Sequence, residues 1–118
     1  MSEFPIPHIK PIRFVKKILS TSTQEASVEV EFEIIPTLGM LIEAAAQSSS
    51  GIVNDNTNSR VGFMVSLKNI KLLQEPQDTT FVVDVKVDYK IQDLKYISFS
   101  IIKNDIKIAE GSFVIALQ

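Results

Sequence analysis

A chain of 118 residues, 45% of them hydrophobic and 22% charged, has the composition of one folded domain rather than of a disordered segment. Its formal net charge is −2 and its lysines are scattered, which argues against the clustered basic face that nucleic-acid binding requires. Cysteine is absent and His8 is the one histidine, which excludes disulfides, a cysteine nucleophile and a histidine-rich metal site within one chain.

The first eleven residues predict an extended entry segment, because they hold three of the five prolines. They include an early acid and no apolar run, so we do not expect a signal peptide. The longest apolar stretch, residues 38–46, is interrupted by Glu43 and is too short to cross a bilayer. We therefore expect a cytoplasmic protein with no membrane partner, forming a single domain over residues 1–118, with no metal and no cofactor.

Two strands are predicted next. Residues 13–21 have a mixed pattern that fits a short helical turn leading into a strand. Residues 26–34 alternate strictly, which predicts a half-buried strand. We expect its interior face to carry Val28, Val30, Phe32 and Ile34. Its solvent-facing side should carry Glu29, Glu31 and Glu33.

A helix is predicted over residues 38–50, after Pro36 ends the strand. Thr37 supplies its N-cap and Gly51 its C-terminal stop. Because the helix is apolar nearly all round, we expect it to be buried on most sides. Glu43 stands in its middle. A buried lone carboxylate is costly, so we expect Glu43 to be paired, hydrogen-bonded or neutral.

After a polar loop at residues 54–59, long strands are predicted over residues 61–73, 80–91, 94–103 and 106–117, with a turn at 103–105. In the second of these strands we expect one face to carry Phe81, Val83, Val85, Val87, Tyr89 and Ile91, and the other Asp84, Lys86, Asp88 and Lys90. One helix cannot cover both faces of a large parallel sheet. The prediction is therefore an α+β fold, a long central helix wrapped by a curved antiparallel sheet of five to six strands, with edge strands that favour a homodimer or a higher oligomer.

Four segments resemble the hotdog-fold beta-hydroxyacyl-[acyl-carrier-protein] dehydratases. Residues 41–47 read Leu-Ile-Glu-Ala-Ala-Ala-Gln, where the family typically has Ile-Ile-Glu-Ala-Met-Ala-Gln. The other three matching segments are residues 7–19, 62–76 and 103–111. The resemblance implies a hotdog fold, an acyl-carrier-protein or CoA thioester as partner, and a role in fatty acid or related polyene synthesis.

The resemblance also implies a site on the helix. Glu43 corresponds to the family's catalytic acid or base, and Gly39, Met40, Gln47 and Phe63 are expected to contact substrate. Gly39 belongs to the first helical turn, whose free N–H groups polarise a thioester carbonyl in hotdog enzymes. Gln47 lies one turn beyond Glu43, so it can hydrogen-bond Glu43, line the same pocket, or serve as a structural amide.

The histidine–glutamate pair that the dehydratase family uses as acid and base is incomplete in this chain. In active members, the loop before the helix carries a histidine that works with the helix glutamate. Here residues 34–39 cross that region directly, without a histidine, and His8 aligns with a non-catalytic Pro-His of the family. Three hypotheses stay open: an acyl-thioester-binding protein with a degenerate dehydratase (lyase) site, a thioesterase that uses Glu43 with the Gly39 N–H, and a non-catalytic dimeric interaction subunit.

Overall fold

The computed structural model describes residues 14–49 and 62–117, which form one helix and six strands. His8 and the polar loop at residues 54–59 lie outside the described residues. The elements, in chain order, are β1 (Val15–Thr21), β2 (Glu25–Glu31), α1 (Leu38–Ser48), β3 (Gly62–Leu72), β4 (Thr80–Ile91), β5 (Leu94–Lys103) and β6 (Ile106–Leu117).

The six strands form one antiparallel sheet in the order β1-β2-β4-β5-β6-β3. This confirms the predicted antiparallel sheet with a single helix. β4, β5 and β6 have the predicted bounds, because each is a run of strand-forming residues that ends at a short turn. β2 ends earlier than predicted, at Glu31, and Ile34, expected in the interior, is 62% exposed.

The turn between β5 and β6 lies where it was predicted. Its two central residues, Asn104 and Asp105, have φ angles of 52° and 66°. Two-residue hairpin loops favour positive φ at both central positions, since that backbone twist matches the twist of the flanking strands. Asn and Asp tolerate this conformation better than most residues, so the local sequence is enough to specify the turn.

The faces of β4 differ from the prediction beyond Val87. Val87 pairs with Ile97, but the next pair is Tyr89 with Tyr96, so Asp88 is an extra residue in β4. A one-residue insertion moves every later side chain to the opposite face of the sheet. Tyr89 and Ile91 were therefore wrongly placed on the same face as Phe81: both are more than half exposed, and the ring of Tyr89 stacks on that of Tyr96 with centroids 4.4 Å apart.

Helix α1 has eleven residues and is not the long helix that was predicted. Its beginning is as expected, because the Thr37 Oγ1 accepts a hydrogen bond of 3.2 Å from the Met40 N–H. Near its end, Ser48 and Ser49 donate their hydroxyls to the carbonyls of Ala44 and Ala46. Such bonds satisfy the last carbonyls and compete with further helical turns. Within the described residues, the chain has no helix of the length and apolarity that crossing a membrane requires.

Helix α1 packs mainly on β4 and β2, with smaller contacts to β1 and β5. Its buried side consists of Leu41, Ala44, Ala45 and Ser48, all 1% exposed or less. The small alanines let the helix backbone approach the sheet closely. The opposite side of the helix is open, with Gly39 and Glu43 both exposed. The other nine residues of the helix are buried or partly buried, so the helix is covered on most sides, as its composition predicted, and open along one row.

The half of the sheet formed by β6 and β3 has little cover from the helix. Leu67 of β3 pairs with Phe113 of β6, a core residue, so both side chains lie on the helix-facing side. Phe113 is 1% exposed, but Leu67 is 47% exposed. The helix-facing side of the sheet is thus a closed core under the helix and an open apolar surface beside it.

Candidate functional site

The open side of α1 carries three of the predicted site residues in one row. Gly39, Glu43 and Gln47 are four residues apart, so they follow one another along the same side of the helix. We call these three residues the open stripe. Gly39 and Glu43 are exposed and Gln47 is partly buried. The helix thus brings together the carboxylate, the amide and the N-terminal backbone groups that the resemblance singled out.

Gln47 connects Glu43 to the sheet. The Phe14 N–H donates a hydrogen bond of 2.8 Å to Gln47 Oε1, and Gln47 Nε2 donates one of 3.4 Å to Glu43 Oε2. Because the Phe14 N–H can only donate, it fixes which end of the Gln47 amide is the oxygen. The amide nitrogen is thereby turned toward Glu43. The Phe14 N–H was missed by the sequence reasoning, since nothing in the local sequence pairs it with a side chain 33 residues away.

The position of Phe14 is itself set by aromatic packing. Its ring lies 4.7 Å from that of Phe32, and Phe32 lies 6.0 Å from Phe81 in an edge-to-face arrangement. Phe32 and Phe81 are nearly completely buried. Buried aromatic pairs of this geometry stabilise by about 0.5–1.5 kcal/mol beyond the area they bury. The core under the helix therefore holds the N–H that orients Gln47.

The beginning of α1 exposes backbone donors. Thr37 accepts hydrogen bonds from the N–H groups of Met40 and Leu41, through its side chain and its carbonyl. Among the described residues, the N–H groups of Leu38 and Gly39 have no hydrogen-bond acceptor. A Cβ atom at Gly39 would meet only Thr37 Oγ1, at 3.8 Å, so the space beside this turn is open. Free N–H groups at a helix beginning attract anions and polarised carbonyl oxygens.

The remaining predicted residues are placed differently. Met40 is partly buried and packs against the core, away from the most open side of the helix. Phe63 lies in β3, where its backbone pairs with Ala116, and its side chain is outside the described part of the structure. The expectation that Glu43 is a buried carboxylate is wrong for the single chain, because residue 43 falls opposite Leu41 and Ala45 on the helix.

A separate cavity of about 330 Å³ lies near the β5–β6 turn. Phe81 and Ile108 contribute its apolar lining, and Lys103 forms an ion pair with Asp78 across 3.6 Å in the same lining. No residue of the open stripe lines this cavity. The stripe is accordingly a surface feature of the single chain, distinct from this pocket.

The architecture is shared by several solved structures. The dehydratase heterocomplex ApeI:P from Xenorhabdus doucetiae matches with a TM-score of 0.73 and 9% identity, over 92% of this chain and 85% of that one. The protein smu.793 from Streptococcus mutans, bound to acetyl CoA, matches with a TM-score of 0.71 and 13% identity, over 95% and 97%. The chain has a hotdog fold.

A third structure, a variant of a hypothetical thioesterase from Streptococcus pneumoniae, matches with a TM-score of 0.69 and 10% identity, over 86% of this chain and 89% of that one. No protein-family model and no curated protein matches the sequence. At identities of 9–13%, the likeness to solved structures establishes the fold. The chemistry has to be argued from the residues of this chain.

Proposed function

We propose that this chain binds acyl thioesters, carried by CoA or by an acyl carrier protein, on the open stripe of α1. The observation that carries the proposal is the arrangement around Glu43: an exposed carboxylate, oriented by an amide that the sheet holds in place, one turn from free backbone donors. The solved hotdog proteins bound to acetyl CoA or named as a dehydratase and a thioesterase support the same class of ligand.

The stripe supplies two complementary contacts for a thioester. The N–H of Gly39 donates toward the carbonyl oxygen, and Glu43 faces the reacting side of the group. Dehydration of a 3-hydroxyacyl thioester needs a second acid or base beside the glutamate, and the family supplies it with a histidine. The sequence provides one histidine, at the non-catalytic position of the family pattern. We therefore propose a dehydratase-like site that binds its ligand without dehydrating it.

The proposed protein is a homodimer, because β3 is an edge strand that carries exposed apolar side chains. β3 is an edge strand of eleven residues, and Val65 and Leu67 on it are 56% and 47% exposed. Exposed edges of this kind pair readily with another chain. A C2 dimer formed along β3 would extend the sheet and bring a second subunit to the uncovered half.

Thioester hydrolysis is the second candidate, and the exposure of Glu43 favours it. A carboxylate in contact with water can take a proton from a water molecule as the oxygen attacks the thioester carbonyl. The N–H of Gly39 would stabilise the resulting oxyanion. The C–S bond then breaks, Glu43 returns its proton to the departing sulfur, and the products are a carboxylic acid and a free thiol.

The test of binding uses Gly39→Leu. The new side chain covers the free N–H groups without a clash, since only Thr37 Oγ1 lies near the position of its Cβ. We expect at least a tenfold loss of affinity for acetyl-CoA and longer acyl-CoA in isothermal titration calorimetry. The free energy of unfolding should stay equal or rise by up to about 1 kcal/mol, because leucine is the better helix former. Ser20→Leu adds the same side chain to exposed β1 and serves as the control.

The test of chemistry uses Glu43→Gln, with Glu33→Gln as an exposed control glutamate. If the chain hydrolyses thioesters, release of free thiol should fall by about 10²-fold or more in Glu43→Gln alone. A 3-hydroxyacyl thioester should not be dehydrated by the wild type. Wild-type acyl-CoA affinity in Gly39→Leu, or dehydration that Glu43→Gln abolishes, contradicts the proposal.

A further inference from the structure

A row of three apolar residues runs along α1 beside the open stripe. Leu38, Ile42 and Ala46 each lie one position before a residue of the stripe, and all three are partly buried. Ile42 comes three residues after Gly39, and Ala46 comes three residues after Glu43, a spacing at which side chains are neighbours on a helix surface. We call Leu38, Ile42 and Ala46 the apolar row. A ligand bound on the stripe would therefore contact this row.

The row on the other side of the stripe offers less apolar surface to a ligand. It begins at Met40 and continues at Ala44 and Ser48, which are 0% and 1% exposed. On that side the amide of Gln47 is also held by the Phe14 N–H. Of the two rows that flank the stripe, the apolar row is therefore the one that a hydrocarbon group can reach along its whole length.

The two arms of a thioester differ in how well they suit the apolar row. With the carbonyl oxygen on the Gly39 N–H, the acyl chain and the pantetheine arm leave the carbonyl carbon in opposite directions. The pantetheine arm carries amide and hydroxyl groups, and covering these without hydrogen-bond partners costs free energy. A hydrocarbon chain gains free energy when it is covered by apolar side chains. The acyl chain should therefore run from Gly39 toward Ala46, with the pantetheine arm beyond the beginning of the helix.

The length of the apolar row limits the length of the acyl chain that it can contact. From Leu38 to Ala46 the helix axis advances by about 12 Å. An extended hydrocarbon, with C–C bonds of about 1.5 Å, covers that distance with about eight to ten carbons. The helix ends just beyond, at Ser48, and the hydroxyl of the C-cap Ser49 donates to the Ala46 carbonyl. Carbons added past this point gain no contact with the row.

We propose that α1 selects medium-chain acyl thioesters, with an acyl group of about eight to ten carbons lying along Leu38, Ile42 and Ala46. The inference rests on the proposed function and specifies its substrate class. The stripe holds the thioester group, and the apolar row beside it holds the hydrocarbon. Because the row is partly buried, a chain lying on it is covered on one side by the protein.

The experiment measures the affinity for straight-chain acyl-CoAs, from acetyl-CoA to dodecanoyl-CoA, by isothermal titration calorimetry. We expect the affinity to rise roughly fourfold for each two added carbons, which is about half the free energy that full burial of the methylene groups gives. The rise should stop at octanoyl-CoA or decanoyl-CoA, where the row ends. An affinity that is the same for all chain lengths, or that still rises from decanoyl-CoA to dodecanoyl-CoA, overturns the inference.

Two variants test the residues of the row. Ala46→Gln places an amide at its far end and keeps a good helix former. We expect it to bind decanoyl-CoA about tenfold more weakly and acetyl-CoA as the wild type does. Ile42→Thr, which keeps the branched shape in the middle of the row, should weaken octanoyl-CoA and not acetyl-CoA. Ile106→Gln, at a position that is 48% exposed in β6, is the control and should change neither affinity. Equal losses for short and long chains in Ala46→Gln contradict the inference.

Titration with n-octanol, followed by methyl NMR, separates this inference from the proposed function, because octanol has the hydrocarbon chain without the thioester. We expect the methyl resonances of Leu38 and Ile42 to shift in the wild type, and to shift less in Ala46→Gln. If no acyl-CoA binds but octanol gives these shifts, the acyl-thioester function fails and the hydrocarbon site stands. If Gly39→Leu abolishes acetyl-CoA binding but octanol gives no shifts, the proposed function stands and the inference is overturned.

Discussion

The two halves of the sheet are both antiparallel, but α1 covers one of them and leaves the other open to solvent. Under α1, the helix-facing side chains are closed off, and Val28 of β2 and Val83 of β4 are fully buried. Beside the helix, Leu67 of β3 occupies the equivalent side and is 47% exposed. Strand pattern therefore decides which side of the sheet is apolar, and the position of one short helix decides which part of that side is core.

We expect the covered half to provide most of the stability and the uncovered surfaces to serve the proposed function. Burial of apolar area is the main favourable term in folding, so the covered half should carry most of the stability. Exposed apolar surface on a small protein is typical of binding and subunit contacts. The open stripe of α1 and the edge of β3 both lie outside the closed core. Three experiments test this difference.

The largest effect is expected for Leu41→Ala in the covered half. Leu41 is fully buried between the helix and the sheet, and its removal leaves a cavity in a closed core. We expect a loss of about 2–5 kcal/mol in the free energy of unfolding, measured by urea denaturation. Leu67→Ala is the comparison in the open half, with a loss under about 1 kcal/mol when the protein is diluted until it is monomeric. Equal losses at the two positions would show that Leu67 is also closed off in solution.

An intermediate effect is expected for Gly111→Ala, where β6 meets β3. An added Cβ would lie 3.2 Å from the backbone Cα of Ile70 and 3.1 Å from the ring of Phe99, and would press on the end of the Ile70 side chain. We expect a loss of about 1–3 kcal/mol from this overpacking. Ile70→Val removes the Cδ1 atom nearest to the clash. In a double-mutant cycle, the loss should therefore be smaller in the Ile70→Val background, and additive losses would contradict this packing.

The smallest effect on unfolding of the monomer is expected for Leu67→Lys, which should cost less than about 1 kcal/mol because the side chain is half exposed in the single chain. Its effect should instead be on assembly. If the dimer forms along β3, sedimentation velocity should show a dimer for the wild type and a monomer for Leu67→Lys. Ile18→Lys makes the same change on the other edge strand, β1, where Ile18 is 51% exposed. A monomer for Ile18→Lys and a dimer for Leu67→Lys would place the interface on β1.

Much of the fold could be predicted because its signals are local. The strand-forming runs of β4, β5 and β6, the Thr37 cap and the Asn104-Asp105 turn all depend on residues close together in the chain. The helix was predicted too long, since its composition favours continuation, whereas the hydroxyls of Ser48 and Ser49 bond to its last carbonyls. The row formed by Gly39, Glu43 and Gln47 was also predictable, because it follows from helical spacing alone.

The parts that escaped prediction depend on register and on distant contacts. One extra residue at Asp88 exchanges the faces of the β4 tip, and nothing in the alternation of the strand shows where such a bulge will form. The sequence by itself determined an antiparallel sheet, one capped helix and a solitary helix carboxylate. Tertiary structure alone decided that Glu43 faces outward and that the Phe14 N–H orients Gln47. The physical reason is that alternation and capping act between chain neighbours, while exposure and hydrogen-bond partners depend on which distant segments come together.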